Sequence, residues 1–147
     1  MITAFNIRVY GIVIDKDNNV LLTDEIRNGF KMTKFPGGGL EFGEGTIECL
    51  KREFQEEMEA EISSVEHFYT TDYFQQSSFK NSDQIISIYY TAQCHGIKEE
   101  QIIDNRYNFK LKGEDELLLR WVNIHSIEKE DLSFPIDQKV LELLKNR

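Results

Sequence analysis

Glycines at positions 37, 38, 39, 43 and 45 crowd one short stretch, Phe35–Gly45 (FPGGGLEFGEG), and exclude a helix there, because each would cost about 1 kcal/mol relative to alanine in a helix interior. The stretch is a tight loop whose backbone takes positive φ or comes close to another group. From Thr46 onward the period changes. Ile47, Leu50, Phe54 and Met58 recur at steps of three and four and form one apolar stripe of a helix. Thr46 is the expected N-cap, since it precedes the stripe and its hydroxyl can accept a backbone N–H. Any fold for this chain must therefore set a glycine loop against the start of an amphipathic helix.

Glu53, Glu56 and Glu57 lie on a different face of that helix, one turn apart. Like charges so placed repel, and crowding raises the pKa of at least one carboxylate unless a cation is present. Lys51 and Arg52 lie round the helix from the cluster and are too few to neutralise it. A hard divalent cation would accept these oxygens, and magnesium typically combines carboxylates with substrate phosphates. A solvated acidic face explains the same spacing.

The stretch resembles the signature of the Nudix hydrolases, G-x5-E-x7-R-E-U-x-E-E-x-G-U, with U a bulky apolar residue. Gly38 opens it, Glu44 follows after five residues, and Arg52-Glu53-Phe54-Gln55-Glu56-Glu57 follows after seven more, with Pro36-Gly37-Gly38 as the family's usual lead-in. Glu59 stands at the family's glycine and Ala60 at a larger aliphatic, while Thr33 and Lys34 replace an aromatic that often precedes the PGG. A glutamate in the left-handed turn that the glycine normally makes costs about 1 kcal/mol, unless the helix runs on.

The resemblance implies an α/β fold, an α/β/α sandwich with a mixed, partly antiparallel sheet, in which the motif loop and helix wall the active site. It implies an enzyme that cuts a phosphoanhydride with water in a nucleoside diphosphate linked to another group, using Mg2+ or Mn2+. It carries over Glu53, Glu56 and Glu57 as metal ligands and catalytic residues, the Gly38 carbonyl as a further ligand, and Glu44 and Arg52 as the residues that hold the loop to the helix. For the general base it offers a motif glutamate or a glutamate near the C-terminal strand. Glu114 and Glu116 fit the second description, but with Asp115 between them they are equally a solvated acidic turn. A catalytically silent domain that binds or senses a nucleotide-like ligand is the rival from another class, and an acidic protein-interaction domain is the third.

At 147 residues the chain is expected to form one domain, 1–147, with a substantial core. A net charge of −9 argues against a nucleic-acid partner, yet a metal and a few local bases can handle a small phosphorylated molecule. Nothing reaches the roughly 20 apolar residues of a membrane span, so no membrane partner is expected. Arg8 interrupts the apolar N-terminus, which argues against a targeting segment and for a cytoplasmic protein. A homodimer is left open. Cys49 and Cys94 lack metal-ligand spacing and make no disulfide framework, and Cys49 is expected to be a small packed residue.

Strands are expected over Ala4–Ile14 and Val20–Thr23, joined by the turn Asp15–Asn19 as a hairpin. Asp24–Met32 reads as a polar segment turning at Asn28-Gly29, and Gln75–Asp83 as a polar loop after the mixed β-branched and aromatic run Ile62–Phe74. Ile85–Cys94 and Leu117–Ile124 are further strands, and Trp121 within the latter is a core or edge residue. Pro135–Lys145 is a closing helix with Ser133 as its cap and Ile136, Val140, Leu143 and Leu144 as its stripe. The long connection Gly96–Asp115 concentrates Arg106, Tyr107, Phe109, Lys110 and Lys112. It is either a substrate-side lid, with Arg106 binding substrate, or an added strand pair. His67, His95 and His125 are scattered and expected to be structural.

Overall fold

The alternating Val, Ile and Tyr residues near the N-terminus do build a strand, and its two faces feed two separate cores. In the computed structural model, which describes Met1–Arg147, this strand is β1 (Ala4–Val13). Tyr10 and Ile12 pack with Val20, Leu22, Phe35 and Tyr89 beneath Val140 and Leu144 of helix α2 (Pro135–Lys145). Val9 and Val13 pack on the other side with Leu21 and with Leu50, Phe54 and Met58 of helix α1 (Thr46–Met58). The two-residue period of a strand thus becomes an α/β/α sandwich.

Two hydrogen-bonded sheets lie between the helices. The first has the order β4-β1-β6-β5, with β4 (Gly37–Gly39) and β5 (Glu61–Thr70) at its edges and β6 (Asp83–His95) inside. It is mixed: β1 runs parallel to β6 from Ala4↔Asp83 to Val13↔Ala92, and the β1/β4 and β5/β6 pairs are antiparallel. The second, β3-β2-β7, is antiparallel throughout and comprises β3 (Phe30–Lys34), β2 (Asn19–Arg27) and β7 (Glu116–Asn123).

The expected β1–β2 hairpin does not form, because the two strands enter different sheets and only the bridge Ile14↔Val20 joins them. The turn between them is real: the Asp15 carboxylate accepts the backbone N–H groups of Asp17 and Asn19, each at 2.9 Å. The true hairpin is β2–β3. Asn28 (φ 51°) and Gly29 (φ 80°) both take positive φ, the turn type whose twist matches a two-residue hairpin. β2 therefore continues through Asp24 and Glu25, beyond its expected end at Thr23.

Several helix details also differ from expectation. Gly45, not Thr46, is the N-cap of α1; the Glu48 carboxylate accepts the Gly45 N–H at 3.0 Å, and the Thr46 hydroxyl bonds the Tyr90 hydroxyl at 2.5 Å. Ile47 is 39% exposed, so the buried stripe is Cys49, Leu50, Phe54 and Met58. In α2 the cap is Phe134, the Ser133 hydroxyl instead accepts the Thr33 N–H at 2.8 Å, and Leu141 is buried where Leu143 was expected. The connection after β6 forms no strand pair: it holds a short 3-10 turn (Glu99–Gln101) and a single bridge, Ile102↔Leu119.

α1 ends at Met58 in a left-handed turn despite the missing glycine. Glu59 takes φ 50° and ψ 35°, its N–H bonds Gln55 O at 3.0 Å, and the Ala60 N–H bonds Phe54 O at 3.4 Å. Those bonds hold a side chain in a conformation that favours glycine. Glu59→Gly should therefore raise stability, by up to about 1 kcal/mol, with the greater freedom of glycine in the unfolded chain trimming the gain. Urea denaturation checks the sign.

Candidate active site

The glycine loop and the helix meet where β4 pairs with β1. Gly37 and Gly38 lie opposite Tyr10 and Val9. Gly37 has φ 149° and no room for a side chain, since a Cβ there would overlap the Val9 carbonyl oxygen. A Cβ on Gly38 would stand 2.5 Å from the Glu53 carboxylate. Two of the loop's glycines are thus needed because backbone lies directly on backbone and on a carboxylate. Gly38→Ala should push Glu53 from its position and lower kcat/KM by roughly 10–100-fold, the scale seen when a supporting contact of a metal site is lost. Circular dichroism should show the fold retained.

Arg52 ties the loop to the helix. Its Nε and Nη2 hold the Glu44 carboxylate at 2.9 and 2.7 Å, and Nη2 also donates to the Gly39 carbonyl at 3.0 Å. Its Nη1 reaches Glu53 Oε1 at 3.0 Å and Glu56 Oε2 at 3.1 Å. The expectation that Arg52 lies round the helix from the acidic cluster is therefore corrected: its long side chain bends back across the face, and one guanidinium serves four carboxylates, those of Glu41, Glu44, Glu53 and Glu56. Arg52 holds Glu44 down to about 2, with the Glu41 backbone N–H helping, and the same bonds raise the Arg52 pKa. Cys49, buried behind this network, has its thiol pushed up to about 12 by burial and by Glu44. That fits a packed, unreactive residue.

Beside this network is a cavity of about 590 Å³. Gly37–Gly39 and Glu53, Glu56 and Glu57 form one wall; Arg8, Tyr10, Glu25, Arg27 and Lys34 come from β1, β2 and β3. Residues of the loop Gln75–Asp83 and the start of α2 complete it, among them Phe79, Lys80, Phe134 and Asp137. Phe79 is 66% exposed, and its ring centroid lies 5.8 Å from that of Phe134. The cavity therefore has a carboxylate side, several cations and an aromatic rim, the complement of a phosphorylated molecule that carries a planar group.

Glu57 shows the strain of this arrangement. Burial pushes its carboxyl up to about 8; the positive Lys34 opposes that, and Glu53 and Glu25 add to it. Burial also opposes the charge on Lys34, but Tyr10, Glu57 and Glu25 outweigh it and hold its pKa above the ordinary value. Lys34 donates to the Gly37 carbonyl at 3.4 Å and sits 5.5 Å from the Tyr10 ring centroid, so its ammonium is bonded to neither glutamate. Only two buried side-chain polar atoms in the protein lack a hydrogen-bond partner, Glu57 Oε2 and Glu25 Oε1, and both belong to residues of this cavity. No three carboxylates converge tightly enough to enclose a cation as they stand, since Arg52 holds Glu53 and Glu56. Two orphaned carboxylate oxygens, on residues that line the same cavity as the backbone of Gly37–Gly39, nonetheless make a donor set suited to a hard divalent cation.

The sequence matches the NUDIX domain profile over residues 4–144. The chain belongs to the Nudix hydrolase family. An RNA pyrophosphohydrolase of Pelagibacter ubique (strain HTCC1062) is 24% identical over 145 residues, which cover 90% of this chain and 89% of that protein. Among solved structures, a Nudix hydrolase from Nitrosomonas europaea superposes with a TM-score of 0.71 at 19% identity, covering 96% of this chain and 88% of that one. The E. coli ORF135 protein gives 0.69 at 19% identity, covering 98% and 91%. At that identity the two superpositions establish the Nudix fold.

The structure gathers the Nudix motif residues at one place and leaves the more distant candidates elsewhere. Glu116 Oε1 accepts the backbone N–H groups of Lys110 and Leu111 at 2.9 and 3.1 Å, and Glu116 borders a smaller cleft with Arg27 and Leu117 rather than the main cavity. Arg106 is also outside the cavity wall: its Nε donates to the Thr33 hydroxyl at 3.2 Å and its Nη2 to the Asp131 carbonyl at 3.2 Å. The long connection is not a lid on this cavity but is pinned to the second sheet, where buried Asp24 accepts the Tyr107 N–H at 2.9 Å and pairs with Arg120 at 3.0 and 3.1 Å. None of the three histidines lines the cavity. The residues overlooked are Arg8, Glu25, Lys34 and the 75–83 loop. Lys34 carried a visible signal, being a cation two residues before the PGG.

Proposed function

We propose that this cavity hydrolyses a phosphoanhydride in a nucleoside diphosphate linked to a further group, with Mg2+ or Mn2+ as cofactor. The observation that carries this is the pair of buried, unpartnered carboxylate oxygens in a cavity that also contains Arg8 and Lys34. Glu53, Glu56 and Glu57, with the Gly38 carbonyl, would hold the cation, and Arg52 and Glu44 would hold the loop that presents them. When bound, the cation offsets negative charge that develops on the phosphoryl oxygens. Arg8 and Lys34 take the remaining phosphate charge, and Phe79 and Phe134 offer faces to a base or similar ring. Water attacks one phosphorus, the bridging P–O bond breaks, and the second phosphate leaves with that oxygen. The water proton passes to a carboxylate. A motif glutamate is better placed to take it than Glu116, whose Oε1 is committed to two backbone donors.

The structure contains no helix long and apolar enough to cross a membrane. A cytoplasmic setting, with Cys49 and Cys94 unpaired, belongs to the same proposal.

The test is a panel: nucleoside triphosphates, a nucleotide sugar, ADP-ribose, a dinucleoside polyphosphate, coenzyme A and a 5′-triphosphorylated oligoribonucleotide. Each is incubated with protein and magnesium while phosphate or nucleotide release is followed. The oligonucleotide is included because the Pelagibacter relative is named for RNA, although the net charge of −9 disfavours contacts along a nucleic-acid backbone. Turnover of one small member is expected. Folded protein that binds a member and turns over none would favour the silent ligand-binding alternative.

A further inference from the structure

We infer that Glu25, a strand residue outside the Nudix motif, is a further cation ligand of this cavity and works as a pair with Glu57. The inference rests on the metal-dependent reading above and extends it to this chain's own β2.

Parity on β2 puts Glu25 on the same face as Leu21, four residues earlier, and Leu21 packs into the core formed with α1. Glu25 therefore points toward the helix that carries Glu53 and Glu57, and it lines the same cavity. It is 4% exposed. A carboxylate that deep in a protein is normally paired or fully hydrogen-bonded. One oxygen meets the rule, since Oε2 accepts from Arg27 Nε at 3.2 Å. Oε1 has no partner, and Glu57 Oε2 is the only other orphan of its kind.

The nearby cations do not account for the pair. Arg27 binds the other oxygen of Glu25, Arg8 donates through Nε to the Tyr10 hydroxyl at 2.6 Å, and Lys34 donates to the Gly37 carbonyl. The contrast with Asp24, the preceding residue, is direct. Asp24 is equally buried, but Arg120, Thr33 and Tyr107 saturate both of its oxygens. The protein thus satisfies a structural buried carboxylate completely at one position and leaves its neighbour, on the opposite face and in the wall of the cavity, with one oxygen unpartnered. A divalent cation can accept two such oxygens together.

Manganese titrated into the substrate-free protein, with free Mn2+ followed by electron paramagnetic resonance, tests this. Glu25→Gln should weaken Mn2+ binding at least tenfold, while Glu66→Gln, on an exposed position of β5, should leave it unchanged. Melting of each variant without cation verifies folding. If Glu25→Gln does not fold, Glu25→Asp decides, because it keeps the charge and shortens the reach; several-fold weaker binding is expected. Wild-type affinity in the folded glutamine variant, or in the aspartate variant where that one decides, overturns the inference. So does a wild-type protein that binds no Mn2+ without substrate, because the orphaned oxygens belong to the substrate-free cavity. In either case, hydrolysis of a panel member leaves the proposed activity standing, and absence of hydrolysis removes that as well.

Discussion

Glu57→Gln is expected to lower turnover by about 10²-fold or more, while the metal-free variant is at least as stable as the parent at neutral and alkaline pH. The two effects have one origin. Burial moves the Glu57 carboxyl from 4.5 to about 8, so the folded chain keeps a proton there that the unfolded chain releases. Where the native state binds more protons than the unfolded state, stability falls as pH rises. The parent should therefore lose stability progressively from about pH 4.5 to about pH 8 and hold the lower level above that. Glutamine has no proton to lose, so this component of the slope should vanish. Urea denaturation in chelator at acid, neutral and alkaline pH measures it. Added Mg2+ should restore the parent at alkaline pH, because a ligand of the ionised native state stabilises it by mass action, and should do little for the variant. A variant with unchanged turnover, or a parent whose stability does not fall over that window, would remove Glu57 from the role given to it.

Phe54→Ala should do the reverse, costing about 3–5 kcal/mol of stability, as truncation of a buried aromatic usually does, and lowering Tm by roughly 10 °C for a chain of this size. Phe54 is fully buried, and its ring fills the space over Gly11, where a Cβ would lie 2.8 Å from Phe54 Cε1. No side chain opposite can expand to fill the gap. Molecules that remain folded should keep near-normal kcat, because the ring faces the core and the carboxylates face the cavity. Denaturation midpoints and active-site-normalised rates separate the two effects. A loss below about 1 kcal/mol would contradict the packing described.

The parts of the fold that were legible in the sequence are those set by short-range periodicity. The stripe Leu50–Phe54–Met58 and the acidic face beside it follow from helical steps alone, and the bounds of α2 were legible because Pro135 marks its start, although its cap and one residue of its stripe were not. Ile47 fits the same period but lies in the first turn and stays 39% exposed, outside the buried stripe. Strand pairing was less legible, since alternation fixes which face a residue takes and says nothing of its neighbour. β1 finds its main partner in β6, from Ala4↔Asp83 onward, and not in the strand that follows it.

The reach of Arg52 was missed because helical geometry places Cα atoms, whereas its guanidinium is free to fold back over the face. β2 was cut short at Thr23 because Asp24 and Glu25 look like the start of a surface segment. Asp24 is buried only because Arg120 arrives from a strand 96 residues away. A local window contains no trace of that partner. Glu25 was hidden for the same reason, and with it the half of the cavity opposite the motif.

The most direct measurement is hydrolysis in H2(18)O of whichever panel member is turned over, with magnesium or with chelator, and mass analysis of both phosphoryl products. One heavy oxygen should appear in one of the two products, at a single phosphorus, and chelation should abolish its appearance. Unlabelled products, or labelled products formed at the same rate in chelator, would contradict metal-dependent attack of water on a phosphoanhydride in this cavity.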